Sequence, residues 1–346
     1  MTKTLVTKKN LVAASVLSLT AALAPARPAL AEKPLEGQAL ADRYAACWDL
    51  FSNKKWAEFE GCYDAGTVSV APGQVPAKGG KAIVEKHSKA IAEAMPDVKG
   101  DIQLMLVSGR KAVTVAVFSG THTGPLKGPM GTIPATNKKI GQVVAHAIES
   151  GPKSVASKEW FIQDGGTMMA QLGLSPAPAR PALDKGWADK PTVIVASNSK
   201  TEQQNLAAIK KAYAAFNKND DAMFSLFADD IVDHDHAAPA DLQGKPAVVG
   251  FLQGIHKMSS NVKIAPTTIF AAGDYTATIG EFNGKNDGEM PAIGITKKTG
   301  KSFKINVIEV VHWEGGKAKE IWPFINGMQM AEQLGLLPPA PKTAQK

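Results

Sequence analysis

Residues 160–176 read WFIQDGGTMMAQLGLSP, and residues 322–338 read WPFINGMQMAEQLGLLP. Eight identities keep the same spacing at an offset of 162 residues: Trp160/Trp322, Gly165/Gly327, Met168/Met330, the four of Gln171-Leu172-Gly173-Leu174 with Gln333-Leu334-Gly335-Leu336, and Pro176/Pro338. Self-similarity at a fixed offset marks a duplicated unit. The chain therefore holds two copies of one domain, each closing on the same segment. Four residues after each Trp stands Asp164 in the first copy and Asn326 in the second.

Working outward, the first copy spans 35–176 and the second 201–338, with a Pro-rich linker or surface strap over 177–200 and a tail over 339–346. Each unit of ~140 residues is large enough to bury its own core. Residues 1–31 read as a secretory signal peptide. Lys3, Lys8 and Lys9 form a positive start, Leu11 to Ala24 is apolar, and Ala29-Leu30-Ala31 is a small-x-small cleavage site before Glu32. The apolar run is shorter than the ~20 residues that span a bilayer. The expectation is an exported protein, periplasmic or secreted, with no membrane association once the leader is gone.

Loss of Lys3, Lys8, Lys9 and Arg27 with the leader takes the formal charge from +7 to +3. The remaining lysines are scattered among acids, so no basic stripe with interleaved aromatics suggests nucleic acid. Cys47 and Cys62 are the two cysteines, both in the first unit. Export permits a disulfide between them; two free buried thiols fit the sequence equally.

Each unit opens with a helix. Leu40, Tyr44, Cys47 and Phe51 share one helical face, as do Leu206, Ile209, Tyr213 and Phe216. A short second helix and a third, Ile83 to Met95 or Val248 to Met258, follow. The period then changes to alternation, through Ile102–Leu106, Val113–Val117, Gly141–Ala145 and Ser157–Ile162, and through Val262–Ile269, Tyr275–Ile279, Phe303–Val311 and Lys317–Phe324. Helices first and an antiparallel sheet afterwards make an α+β fold. Three helices on a curved sheet enclose a cone-shaped apolar pocket.

Met95-Pro96-Asp97, Gly120-Thr121-His122-Thr123-Gly124, Ile133 to Lys138, Glu159-Trp160, Asp164 and the Gln-Leu-Gly ending occur in order in the first unit. The second shows Asp230-Ile231-Val232-Asp233-His234-Asp235, Thr299-Gly300-Lys301, Glu320-Ile321-Trp322, Asn326 and its Gln-Leu-Gly. In this order and spacing the chain resembles the SnoaL-like family of polyketide or ester cyclases, within the NTF2-like cone fold. The resemblance covers both units, and implies two tandem NTF2-like cone domains that pack as a pseudo-dimer within one chain. It also implies a cofactor-free reaction with no metal, in which a carboxylate takes a proton from carbon beside a carbonyl and starts an intramolecular aldol closure. Asp164 holds that carboxylate's place, seven residues before Gln171. Burial against an apolar cavity would raise its pKa toward neutrality, which suits a base. His122 or His146 would serve as the neutral donor to the enolate oxygen.

Each candidate has a plainer reading. Asp164 suits a helix N-terminus. His122, in a Gly-flanked hairpin, and His146 and His312, on core-directed strands, suit hydrogen-bonded structural roles. Trp160, His234, His312, Trp322 and Asn326 are the expected ligand-binding set, with the two Trp residues equally suited to core packing. His234 and His236 share a strand face, yet a third metal ligand at defined spacing is lacking.

The copies have diverged. Asn326 cannot act as a base, and Ser69-Val70-Ala71-Pro72 stands in the first unit where the second has Asp233-His234-Asp235-His236. The first unit is thus the expected catalytic one, the second a binding or scaffolding partner. Without a Gly-x-Ser-x-Gly elbow, serine hydrolysis is not indicated. Two functions compete: a cyclase or isomerase acting on a small apolar carbonyl compound, and a non-catalytic carrier or sensor for a small apolar ligand.

Overall fold

The computed structural model describes residues 33–69, 76–128, 131–152, 155–175 and 180–337. Residues 1–32, which include the expected signal peptide, and residues 70–75, 129–130, 153–154, 176–179 and 338–346, which include the expected tail, lie outside the described residues.

The first half begins with α1 (Gly37–Ser52), α2 (Trp56–Phe59) and a 3-10 turn over Glu60–Cys62. A two-strand hairpin, β1 (Val68–Ser69) and β2 (Ala77–Lys78), leads into the third helix. That helix is broken into α3 (Gly80–Ile83), a π-helical turn over Val84–Ser88, and α4 (Lys89–Ala94). β3 (Lys99–Ser108), β4 (Lys111–Thr121), the small hairpin β5 (Leu126–Gly128) and β6 (Gly131–Ile133), β7 (Lys139–Glu149), β8 (Lys158–Ile162) and α5 (Gly165–Gln171) follow. After it comes β9 (Thr192–Val195).

The second half repeats the order. It comprises α6 (Lys200–Phe216), a 3-10 turn (Asp221–Leu226), β10 (Phe227–Asp233), β11 (Leu242–Gln243), α7 (Lys245–Met258), β12 (Lys263–Ala272), β13 (Tyr275–Lys285), β14 (Ser302–Glu314), β15 (Lys317–Ile325) and α8 (Gly327–Leu334). The sheets run β8-β7-β4-β3-β9 and β11-β10-β15-β14-β13-β12. Both are antiparallel except where β9 joins β3 and β10 joins β15. This is the expected α+β arrangement, twice.

The central strands are buried on both faces, and the period-two geometry of a strand sorts their side chains. Met105 and Val107 of β3 join the core under the first half's helices, whereas Leu104 and Leu106 face a second cluster. That second cluster also takes Phe270, Ala277, Ile279, Ile308 and Phe324 from the second half. The sheets of the two halves therefore share one apolar layer, which is why these strands read as nearly continuous apolar runs.

From Arg180 onward, the segment between the halves is a strap rather than a loose linker. Arg180 donates to the carbonyls of Ala238 and Asp235, at 2.9 Å each, and pairs with Asp241 at 2.7 Å. Leu183 N–H reaches the Gly141 carbonyl at 3.1 Å, and Gly186 and Ala188 donate to Asp101 and Gln103 at 2.8 Å. β9 then lengthens the first sheet. Its Pro-rich lead-in hid this strand from sequence periodicity.

Candidate functional site

Each half encloses an apolar cavity between its helices and its sheet, of about 700 Å³ in the first and about 770 Å³ in the second. Neither is closed by its own half alone. Asn326, Met328 and Gln329 of the second half line the first cavity. Asp164, Thr167 and Met169 of the first half line the second.

In the second cavity, Tyr213 from α6 donates to Glu309 Oε1 at 2.6 Å and sits 2.8 Å from Thr278 Oγ1. Glu309 faces Thr278 across the β13–β14 ladder. Desolvation pushes its carboxyl up to about 7, against the lowering effect of the Tyr213 bond. Asp233, at the end of β10, also lines this cavity; it is buried and its Oδ1 has no hydrogen-bond partner. Burial, with Asp235, Glu309 and Asp241 nearby, holds it well above the usual carboxylate range. Burial first, then the Asp164 charge, pushes Asp235 up to about 6, opposed by the Ala237 backbone bond and Arg180.

The first cavity has different chemistry on the same frame. His146 faces Thr114 across β4–β7, as Glu309 faces Thr278. Its Nδ1 meets the Tyr44 hydroxyl at 2.8 Å and its Nε2 meets Glu159 at 3.2 Å. Burial would raise Glu159, but bonding to and the charge of His146, with bonds to Ser69 and Tyr63, hold it below the usual range. An ionised Glu159 only accepts, so Nε2 carries a proton. Ser69 pairs with Ala77 as Asp233 pairs with Leu242 in the matching hairpins, so serine stands where the second half has an acid. Cys47 and Cys62 form a disulfide in this cavity's wall.

Residues 38–172 match the SnoaL-like polyketide cyclase family, and residues 209–321 match the SnoaL-like domain family. The chain carries two SnoaL-like domains in tandem. Among solved structures it is similar to AclR of Streptomyces galilaeus, at 22% identity over 41% of this chain and 91% of that one, with a TM-score of 0.36. It is similar to a SnoaL-like polyketide cyclase candidate of Jannaschia sp. CCS1, at 12% over 40% and 97%, TM-score 0.37. A ketosteroid isomerase-like-fold protein of Catenulispora acidiphila, crystallised with trimethylamine, gives 21% over 38% and 93%, TM-score 0.33. No curated protein matches the sequence.

The structure does not assemble the site expected from sequence. Asp164 is the N-cap of α5; its Oδ2 accepts from Thr167 N at 2.6 Å and its Oδ1 from Gly327 N at 3.2 Å. It lines the second SnoaL-like domain's cavity, while His146 lines the first. His122 lines neither; its Nδ1 is 3.0 Å from Thr136 Oγ1, bracing the hairpin. Asn326 caps α8 through Gln329 N at 3.2 Å and does reach a cavity, that of the first domain.

Trp160 and Trp322 pack against the shared inter-sheet layer rather than a cavity. His234 stacks on Trp322 and bonds Asp241 at 2.9 Å. His312 stacks on Tyr275 and bonds Glu320 at 3.0 Å; it lies opposite Tyr275 in the ladder, so its counterpart in the first domain is Glu149, opposite Lys111, rather than His146. Neither His lines a cavity. Among the described residues no group of three or more His, Cys, Asp or Glu is placed to hold a metal, and no helix is long and apolar enough to cross a membrane.

Tyr44, Tyr213, Glu159 and Glu309 are the functional candidates that sequence reasoning missed. The two tyrosines were visible only as members of helical faces. The usable signal lay in aligning the strands after each tight turn, which sets His146 against Glu309.

Proposed function

We propose that the chain is a cofactor-free cyclase or isomerase that moves a proton on a small apolar carbonyl compound, and that the second domain's cavity is where the proton moves. Glu309 takes the proton from the carbon beside the carbonyl. The C–H electron pair becomes the enolate, whose oxygen is held by the acid proton of Asp233. Glu309 then returns the proton to a different carbon, or the enolate carbon closes a ring on a second carbonyl of the same molecule. Two buried carboxyls, both with raised proton affinity, supply a base and a donor without any other group. The observation that carries this reading is Glu309 beside Tyr213 at 2.6 Å, in one apolar cavity with the unpaired oxygen of Asp233.

Exchange of the α-protons of 2-tetralone in D2O, followed by NMR, tests it. The wild-type protein should accelerate exchange, and Glu309→Gln should remove about a hundred-fold or more of that acceleration. Tight binding without exchange would mean the carrier function instead.

We also propose that the protein works outside the cytoplasm. The composition of residues 1–31 and the Cys47–Cys62 bond support this, since such bonds persist in oxidising compartments. A secreted form beginning at Glu32, found by N-terminal mass spectrometry, is the expected outcome. The shared inter-sheet layer supports reading the two domains as an intramolecular pseudo-dimer.

A further inference from the structure

The first cavity lies outside the proposed reaction and has its own recognition chemistry. Its wall carries an unbroken circuit of rings. Tyr63 and Phe59 lie 5.4 Å apart between centroids, Phe59 and Phe51 5.8 Å, Phe51 and Phe118 5.9 Å, Phe118 and Phe161 5.7 Å, and Phe161 and His146 5.8 Å. Glu159 closes the circuit. It bonds Tyr63 on one side and His146, at 3.2 Å, on the other. Its side chain is only 6% exposed. Among the described residues lining this cavity, Lys127 is the one Lys or Arg, and its ammonium lies at the surface 3.3 Å from Glu93.

A carboxylate taken out of water requires a positive partner, and aromatic faces present the negative side of their quadrupole. His146 is the basic group within hydrogen-bond distance of Glu159, and no Lys or Arg of the described lining reaches that carboxylate. The second cavity differs, because burial holds its acids Asp233 and Glu309 above the usual carboxylate range. The duplication has thus left one cavity suited to neutral carbonyl compounds and the other to positive charge.

We propose that the first cavity is a binding site for a small organic cation with an apolar body, an alkyl- or arylammonium, whose charge is met by Glu159 and whose body is held by the ring circuit. The site is independent of the Glu309 chemistry.

Three probes with one body and different charge test this on the full-length protein: 1-adamantylammonium, 1-adamantanol and adamantane-1-carboxylate, each titrated by calorimetry. The ammonium should bind about ten-fold tighter than the alcohol or better, and the carboxylate weakest. Glu159→Gln should cost the ammonium about ten-fold and change the alcohol by less than about two-fold. Glu309→Gln, in the other cavity, should leave the order unchanged. Equal affinity for ammonium and alcohol in the wild type, or an unchanged ammonium affinity in Glu159→Gln, overturns the proposal. Should circular dichroism show that Glu159→Gln does not fold, Phe118→Leu replaces it. Loss of ammonium preference then supports the site, and its retention overturns it. Failure of the tetralone exchange would leave these outcomes untouched.

Discussion

Asp164 Oδ1 accepts the backbone N–H of Gly327 at 3.2 Å. One carboxylate thus caps α5 of its own domain and ties down the first turn of α8 in the other. A Cβ on Gly327 would approach that oxygen to 3.2 Å, and one on Gly165 would approach Met328 to 3.3 Å, so the two helix starts need their glycines to meet this closely.

Asp164→Ala should lower stability by about 1–2 kcal/mol, the cost of a lost cap. Asp164→Asn keeps one acceptor oxygen and should lose about 1 kcal/mol. Thermal melts measure both. Asp164→Asn should keep its activity in the tetralone exchange; a fall as deep as that of Glu309→Gln would return the base to Asp164.

The exchange rate should rise with pH through about 7, where Glu309 loses its proton, and level off above it. This limb should vanish in Glu309→Gln. A profile flat from pH 5 to pH 9 would exclude Glu309 as the base.

The same group makes a stability prediction of definite sign. Its folded value is raised, so between the usual carboxylate range and about 7 the folded state binds more protons than the unfolded state. Stability from this group is therefore present at low pH and lost as pH rises through that window. Glu309→Gln should melt higher than wild type at pH 8, and the gap should close by pH 5. The difference between the two proteins is the proper measure, because buried His236, pushed down to about 3, works in the opposite direction in both.

Reducing the Cys47–Cys62 bond, whose cysteines are 15 residues apart, should cost about 3 kcal/mol. Cys47→Ser/Cys62→Ser should match the reduced wild type in a denaturant titration.

The strap supplies another test. A Cβ on Gly141 would stand 1.9 Å from the Leu183 carbonyl oxygen. Gly141→Ala should cost about 1–3 kcal/mol and release the strap. Limited proteolysis should then cut within residues 180–190 faster than in wild type.

The sequence carried the duplication, the helix-then-sheet order and the start of each C-terminal helix. Asp164 and Asn326 stand at matched places and both proved to be N-caps. It did not carry the acids that matter. Glu159 sits one residue before Trp160, and the strand's period of two sends these neighbours to opposite faces. Which face is the cavity depended on the second domain's sheet covering the Trp160 side.

What these residues determine by themselves is local: periodicity, turns, caps and repetition, all set by neighbours along the chain. Only the tertiary structure decided that the first domain's last helix walls the second domain's cavity and the reverse. It alone decided that burial raises the proton affinity of Glu309 and Asp233 while the neighbours of Glu159 lower its own. Proton affinity depends on desolvation and on charges brought together from distant positions, as when Glu309 meets Tyr213 across 96 residues of chain.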